Sequence, residues 1–539
     1  MRTLTRSRLI FLAIVGVALL IVCASLLTTS LTRMFQEEEM AASPSGGAAQ
    51  TEQTPQLESP APIFAPNADL NDGLPTYVCA ADAFGSYFTL QQMQMGGYDV
   101  QNGFHLGIVP FLLDGDPRYD ISEEQRAALL ASGEWDCLLT TLDAVALSAP
   151  GVITAVVDES AGADQLWARD TVTINDLAQK RITFPRGSVS EYFVYYTLYI
   201  ARLNPRFDVT LVPADSLDEA IATFNSGQAD AVAGWEPDIL AAKESGGQPL
   251  LSSANMRIIM DVIVTSRQSI LQKPDLVQSF HNAWFQALKA QVEDFDTAAR
   301  QIAEWGHNDW TFVYPESASD DLRLWLSTIA QADLGDNVFV MRDPRPLLTR
   351  LETARRVWAA AGVSPSTDDV NTLVDTRFVA TAAANPALQT NGTPVNDTFS
   401  ISPNIQFTNI NPDEAQTLAV LPCRRFTFLP ESTELTLESR RILDDCVVPT
   451  MQQSLGLYLK VRGSAAWPGP PGTYTKEEIL EFARARAQSV VDYLVSQGID
   501  PARFIIEATL PPREHWETED PAIQAEDRYV EMTLVTVGR

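Results

Sequence analysis

From residue 76 onward, short apolar runs alternate with segments of helical periodicity. The first runs are TYVCAA at 76–81, FHLGIVPF at 104–111, DCLLTTLDAVAL at 136–147 and GVITAVV at 151–157. A second set follows, with RITFP at 181–185, FDVTLVP at 207–213, ADAVAG at 229–234 and MRIIMDVIVT at 256–265. Helical patterns separate them, as in SLDEAIATFNSG at 216–227, where Ser216 supplies an N-cap and Gly227 a stop. Strand-length runs bounded by helices predict α/β layers around largely parallel sheets. Further on, Leu276, Phe280, Trp284 and Leu288 share one face of a long helix, a stripe that core packing explains. No internal repeat of roughly 20–50 residues is evident, which removes solenoids from consideration.

The extreme N-terminus follows another pattern. Leu9 to Leu27 reads LIFLAIVGVALLIVCASLL without a charge, nearly enough helix to cross a hydrocarbon core. Arg2, Arg6 and Arg8 precede the run and Glu37, Glu38 and Glu39 follow it, so the N-terminus is expected in the cytoplasm and the rest outside. Cleavage as a signal peptide near Val22-Cys23-Ala24 is the competing reading, though the apolar run continues past it. Residues 35–74, rich in Pro, Ala, Ser and Gly, predict a flexible stalk, and the Asn-, Thr- and Ala-rich stretch 371–416 a second linker. The expected organisation is therefore an anchor at 1–34, a stalk at 35–74, an α/β module at 75–370, a linker at 371–416 and a smaller domain at 417–539.

Charge and cysteine content narrow the function. With 38 Lys and Arg against 69 Asp and Glu, the net charge of -31 leaves no excess of cations to neutralise phosphates, so nucleic acid is not an expected partner. Of five cysteines, Cys23 lies in the anchor. Cys423 and Cys446 are close in sequence and favour a bridge, whereas Cys79 and Cys137 fit either buried thiols or a pair. The four histidines lack ligand spacing, so neither a metal nor another cofactor is expected.

The segment from Asp176 to Pro237 has an Asp176-Leu177 start, an Arg186-Gly187-Ser188 turn after a strand, a pattern from Ala220 to Ala231, and Trp235-Glu236-Pro237. This order resembles type II periplasmic solute-binding proteins of the nitrate, sulfonate, taurine and thiamine-precursor branch. Lys180 follows Gln179 where that family's pattern has glycine. The resemblance implies two lobes over roughly 75–365, a small-molecule solute bound between them, and an ABC-type permease as partner.

Ligands of open α/β sheets bind where strand ends feed helix N-termini. That logic selects Asp82 and Phe84 after the first strand, Asp143, the turn of Gly187, Ser188 and Ser190, and Trp235 with Glu236. Ser188 or Ser190 can equally be a plain N-cap, and Trp235 can pack beneath a hinge with Glu236 in solvent. Asp82, Asp143, Glu236 and Asp261 outnumber Arg186 among these residues, which favours an amine or cationic heterocycle over a bare anion. Neither a nucleophile elbow, a P-loop nor a Ser-His-Asp set occurs, so an enzyme is not expected.

The last domain carries Phe428, Ser432 and Leu435, Gly463 after the run LYLKVRG, Arg486-Ala487 before Val490-Val491, then Gly498 and Arg528. It resembles OmpA-like domains, an α+β fold. The resemblance implies peptidoglycan as partner, held in part by Arg486. The aspartate of that family's site is replaced by Ala466, and the Asn and Ser before the arginine by Ile479 and Ala483. An envelope tether or sensor acting through protein contacts is the alternative function.

Overall fold

The computed structural model describes residues 59–400, 409–454 and 456–537. The anchor (1–34) and the stalk as far as residue 58 lie outside the described residues, among which no helix is long and apolar enough to cross a membrane.

The chain builds β1 (Thr76–Ala81), β2 (His105–Pro110), β3 (Cys137–Thr141) and β4 (Val152–Ser160). It then leaves to form β5 (Asp164–Ala168), β6 (Arg181–Pro185), β7 (Thr210–Ala214), β8 (Ala231–Trp235) and β9 (Gln248–Ser252), before returning as β10 (Met260–Thr265) and β11 (Ile329–Gln331). Two sheets result, ordered β11-β4-β10-β3-β1-β2 and β7-β6-β8-β5-β9. Each is the centre of an α/β lobe, and the backbone passes between them at 160–164 and again at 252–260. The remaining strands β12 (Ala415–Thr427), β13 (Tyr458–Ser464), β14 (Phe504–Thr509) and β15 (Tyr529–Val537) make a third sheet, β12-β15-β13-β14. The helices used below are α1 (Thr89–Met95), α2 (Leu142–Ser148), α3 (Val189–Ala201), α4 (Leu217–Asn225), α5 (Pro274–Glu293), α6 (Arg345–Ala361), α7 (Arg377–Ala383) and α8 (Lys476–Ser496).

The apolar runs become strands because both faces of each lobe sheet are covered; all nine residues of β4 are buried. Ser216 caps α4 through the Glu219 amide at 3.2 Å, as its sequence predicts. The sheets are mixed rather than largely parallel. Strand β10 runs antiparallel to β3 and β4, and β5 antiparallel to β8 and β9, because each belongs to a crossing between lobes and arrives reversed. The run 136–147 divides at Thr141 into β3 and α2. Cys79 and Cys137 face each other on parallel neighbours β1 and β3, Cα atoms 4.5 Å apart, and form a disulfide. Cys446 is also disulfide-bonded, and the expected partner, Cys423, has its side chain outside the described residues.

Both linkers differ from their compositional reading where they are described. Within 59–74, Ile63 exchanges two backbone hydrogen bonds with Ile108 (2.7 and 2.9 Å), covering the open edge of β2. Residues 371–400 carry α7 and bury Phe378, Val379, Ala382, Leu388 and Phe399. A few apolar anchors among many polar residues suffice to hold that strap on α5. Its end is tied to the hinge: Ser400 donates its N–H to buried Glu159 (2.9 Å) and accepts from Arg350 (2.8 Å), while Arg350 pairs with Glu159 at 2.6 Å. Such a buried pair persists only because further hydrogen bonds complete it, one of them from Arg350 to the Arg257 carbonyl at 2.9 Å.

In the third domain α8 packs on the sheet through Ala487, Val491 and Leu494, and Gly463 lies so close to Ala483 of α8 that a Cβ would strike its carbonyl. The sheet is fastened to the lobes by side chains. Asn175 bridges both backbone groups of Val420 (2.8 and 3.3 Å), and Asn255 in the return crossing donates to Thr536 at 2.9 Å.

The Cys79–Cys137 bond closes a long loop inside lobe one. Replacing both residues with Ala is expected to cost about 3–5 kcal/mol of that lobe's stability, read as a lower denaturant midpoint that reductant reproduces in the parent chain.

Candidate functional site

The two crossings meet in a knot of small polar side chains. Ser160 Oγ donates to Asp164 Oδ2 at 2.7 Å and lies 2.8 Å from Ser253 Oγ, which accepts the amides of Gly162 (2.8 Å) and Asp164 (3.2 Å). Gly162 has φ +136°, a backbone conformation that L side chains rarely adopt. The knot fixes where β4 ends and β5 begins, and so aims Asp158 and Asp164.

Asp158 lies directly opposite Asp261 in the β4–β10 ladder. Tyr87, in the turn Gly85–Phe88 that follows β1, donates its hydroxyl to Asp261. All three residues are buried. Asp158 is pushed well above the ordinary carboxylate range, first by burial and then by the charge of Asp261; Asp261 itself rises to about 6, chiefly by burial. Asp164 is raised to about 7 and Asp143 to about 8, burial dominating in both. Asp158 hydrogen-bonds to Asp261 and accepts from the Ser86 hydroxyl, whereas Oδ1 of Asp143, Oδ1 of Asp164 and the Ser190 hydroxyl are buried without a hydrogen-bond partner among the described residues.

The sequence-selected residues distribute around this centre. Asp82 pairs with Arg126 at 3.1 Å and contributes its charge to Asp261 and Tyr87. Phe84 is half-buried, edge-on to Tyr87 and Trp325. Asp143 heads α2, and its carbonyl accepts from Trp358 of α6 at 3.1 Å. Trp358 packs on Tyr192 and Tyr195 of α3, so the start of α3 from lobe two is seated against α2 and α6 of lobe one. Ser190 is buried there, while Ser188 is the N-cap of α3, accepting from the Ser190 amide at 3.2 Å. Gly187 is exposed at φ +68° and its amide is taken by Glu191 at 2.8 Å. Trp235 stands opposite Asp164 in the β5–β8 ladder, and Glu236 accepts from Gln165. Both are half-buried, which places them beside the hinge rather than in open solvent.

Sequence reasoning missed Tyr87, Asp158 and Asp164. The readable signal was an acid closing an apolar strand, in AVVDES at 155–160, and another opening the next run. The junction is also not an open crevice: Asp143, Asp158 and Ser190 are shut from solvent because the α3 aromatics close against α6. Two surface cavities lie elsewhere, one beside Tyr196, Arg356 and Thr450, the other beside Tyr98, Glu293 and Gln301.

Arg486 takes no part in this centre. It is buried in the third domain, its guanidinium donating to the carbonyls of Ser432 (3.0 Å), Ser464 (3.1 Å) and Leu429 (3.4 Å), between the rings of Phe428 and Phe482. Burial lowers it to about 10, and Arg528 adds to the shift. Among the described residues no cluster of His, Cys, Asp and Glu has the arrangement to hold a metal.

Residues 152–298 match the family model described as NMT1/THI5 like. No curated protein matches the chain significantly in sequence. Among solved structures, a sulfonate ABC transporter periplasmic sulfonate-binding protein, SsuA, from Methylobacillus flagellatus is similar over 60% of this chain and 97% of its own (18% identity, TM-score 0.45). The periplasmic nitrate-binding protein NrtA from Synechocystis is similar over 58% and 89% (12% identity, TM-score 0.42). The desulfurization enzyme DSZB is similar over 57% and 99% (15% identity, TM-score 0.38).

A carboxyl whose folded pKa lies above its unfolded value keeps a proton in the native state that the unfolded chain has released. Asp143 therefore lowers stability as pH rises from its unfolded value of 3.8 towards about 8, with no further loss above that. Urea midpoints at about pH 5 and about pH 8 are expected to differ less in Asp143→Asn than in the parent, by up to about 1.4 kcal/mol for each pH unit in between.

Proposed function

We propose that the chain captures a small polar solute outside the membrane by closure of its two lobes and presents it to an ABC-type permease. The observation that carries this reading is the set of buried carboxyls gathered from both lobes about the crossings, of which Asp143 and Asp164 each keep an oxygen without a partner among the described residues. Each such group costs about 1–3 kcal/mol. A ligand that satisfies them therefore stabilises the closed form over the open one, which is the differential affinity that a population shift requires. The NMT1/THI5-like match at 152–298 covers the second lobe and both crossings, and supports the same reading.

The Leu9–Leu27 run supports a single-pass anchor with the bulk exported, and the stalk gives the lobes reach towards a permease. The third domain is read as an OmpA-like envelope module on its sequence pattern. Arg486, however, is buried with each guanidinium nitrogen donating to a carbonyl, so peptidoglycan association through this residue needs the domain to rearrange. A second reading, that of a ligand sensor or tether, is favoured by the bonds of the third domain to Asn175 and Asn255. In that reading lobe movement is passed to the envelope module instead of a permease.

Native mass spectrometry of the full exported chain tests capture. The expected result is a noncovalent small-molecule adduct that disappears in Asp158→Asn/Asp261→Asn while the fold is retained by circular dichroism. A chain without adduct, whose thermal midpoint no small molecule raises, contradicts capture. Pulldown on purified peptidoglycan separates the wall role, with Arg486→Ala expected to lower the thermal midpoint of the third domain whether or not the wall is bound.

A further inference from the structure

Resting on the capture reading, we infer that the solute is a small organic cation whose ammonium or amidinium end is received between Asp158, Asp261 and Asp164. The charge balance of the junction is one-sided. Asp82, Asp143, Asp158, Asp164 and Asp261 influence one another electrostatically, and Glu123 and half-buried Glu236 lie at the margin. Arg126 is engaged by Asp82 at 3.1 Å and Glu123 at 3.7 Å, and stacked 3.9 Å over the Phe111 ring. Arg350 and Arg257 lie with Glu159, the neighbour of Asp158 on the alternate face of β4.

The unpartnered atoms have matching chemistry. At Asp143 and Asp164 they are carboxyl oxygens, while Asp158 hydrogen-bonds to Asp261 and accepts from the Ser86 hydroxyl, bonds that an entering ammonium would replace. An ammonium brings three N–H donors and no acceptor. One unpartnered donor here is the neutral amide of Gln331, directly opposite Asp158 in the β4–β11 ladder, which suits an acceptor elsewhere on the solute. The helix start that would otherwise attract an anion is already occupied, since Glu191 takes the Gly187 amide and Ser188 takes that of Ser190.

Protons distinguish the two classes of solute. Burial and mutual repulsion raise Asp158 and Asp164, while Asp261, at about 6, is largely ionised near neutral pH. A cation entering among them displaces protons from the raised carboxyls, whereas an anion accepting their hydrogen bonds retains or gains them. Tyr87 and Tyr192 stay neutral throughout, their hydroxyls raised well above the ordinary tyrosine value.

The test is isothermal titration of the full exported chain near neutral pH, in two buffers of different ionisation enthalpy, with putrescine, agmatine and benzamidine on one arm and methanesulfonate and nitrate on the other. Binding of at least one cation with net proton release, weakened roughly tenfold or more in Asp158→Asn, is the expected outcome. Binding of methanesulfonate or nitrate with proton uptake, unweakened in Asp158→Asn, overturns the assignment and leaves solute capture standing. So does silence on the cation arm while native mass spectrometry still finds an adduct. Silence on both arms with no adduct overturns the capture reading together with this one.

Discussion

The structure depends on one constraint: the backbone passes twice between the lobes, and the polar groups at that passage must be satisfied in a dry place. Ser253 does most of this. Its hydroxyl accepts two amides from the outgoing crossing and lies within hydrogen-bond distance of Ser160, so the outgoing and returning segments are fixed to each other. Buried polar groups are tolerated when they are bonded and expensive when they are not. The knot is bonded almost throughout; beyond it, Asp143 and Asp164 each keep one buried oxygen without a partner among the described residues.

The same passage is where the rest of the chain attaches. Glu159 turns away from Asp158 and takes Arg350 from α6 and Ser400 from the strap, while Asn255 reaches the third sheet at Thr536. Lobe, strap and third domain thus meet beside the element that any change in lobe geometry has to bend. Packed contacts of this kind have discrete arrangements rather than continuous ones, so a displacement at the crossings is felt at Asn255 and at Ser400 together.

Much of the fold was legible. TYVCAA and RITFP coincide with β1 and β6 because an uninterrupted apolar run can be satisfied only by a sheet covered on both faces. Strands β5 and β9 were not read, since DQLWA and QPLLS are short and carry polar residues whose partners come from distant segments. The strap was misread for a related reason: average composition hides six buried apolar side chains, Leu373 included, among many exposed ones. Around the crossings, the rule that ligands gather at strand ends selected Asp82, Asp143 and Ser190. It passed over Asp158, Asp164 and Tyr87, because an acid inside an apolar run shows no sign of which residue will face it. Only the ladder register, which sets Asp158 against Asp261, supplies that.

The measurement that bears most directly on the account is the distance between the lobes. Spin labels at Glu134→Cys in lobe one and Gln228→Cys in lobe two, both exposed, report it by electron double resonance. The account predicts two distance populations in the ligand-stripped chain and one, matching the closed arrangement, when solute is bound. A single narrow distribution, the same in stripped and loaded chains, would contradict it, because lobes that never part cannot admit anything to the buried carboxyls between them.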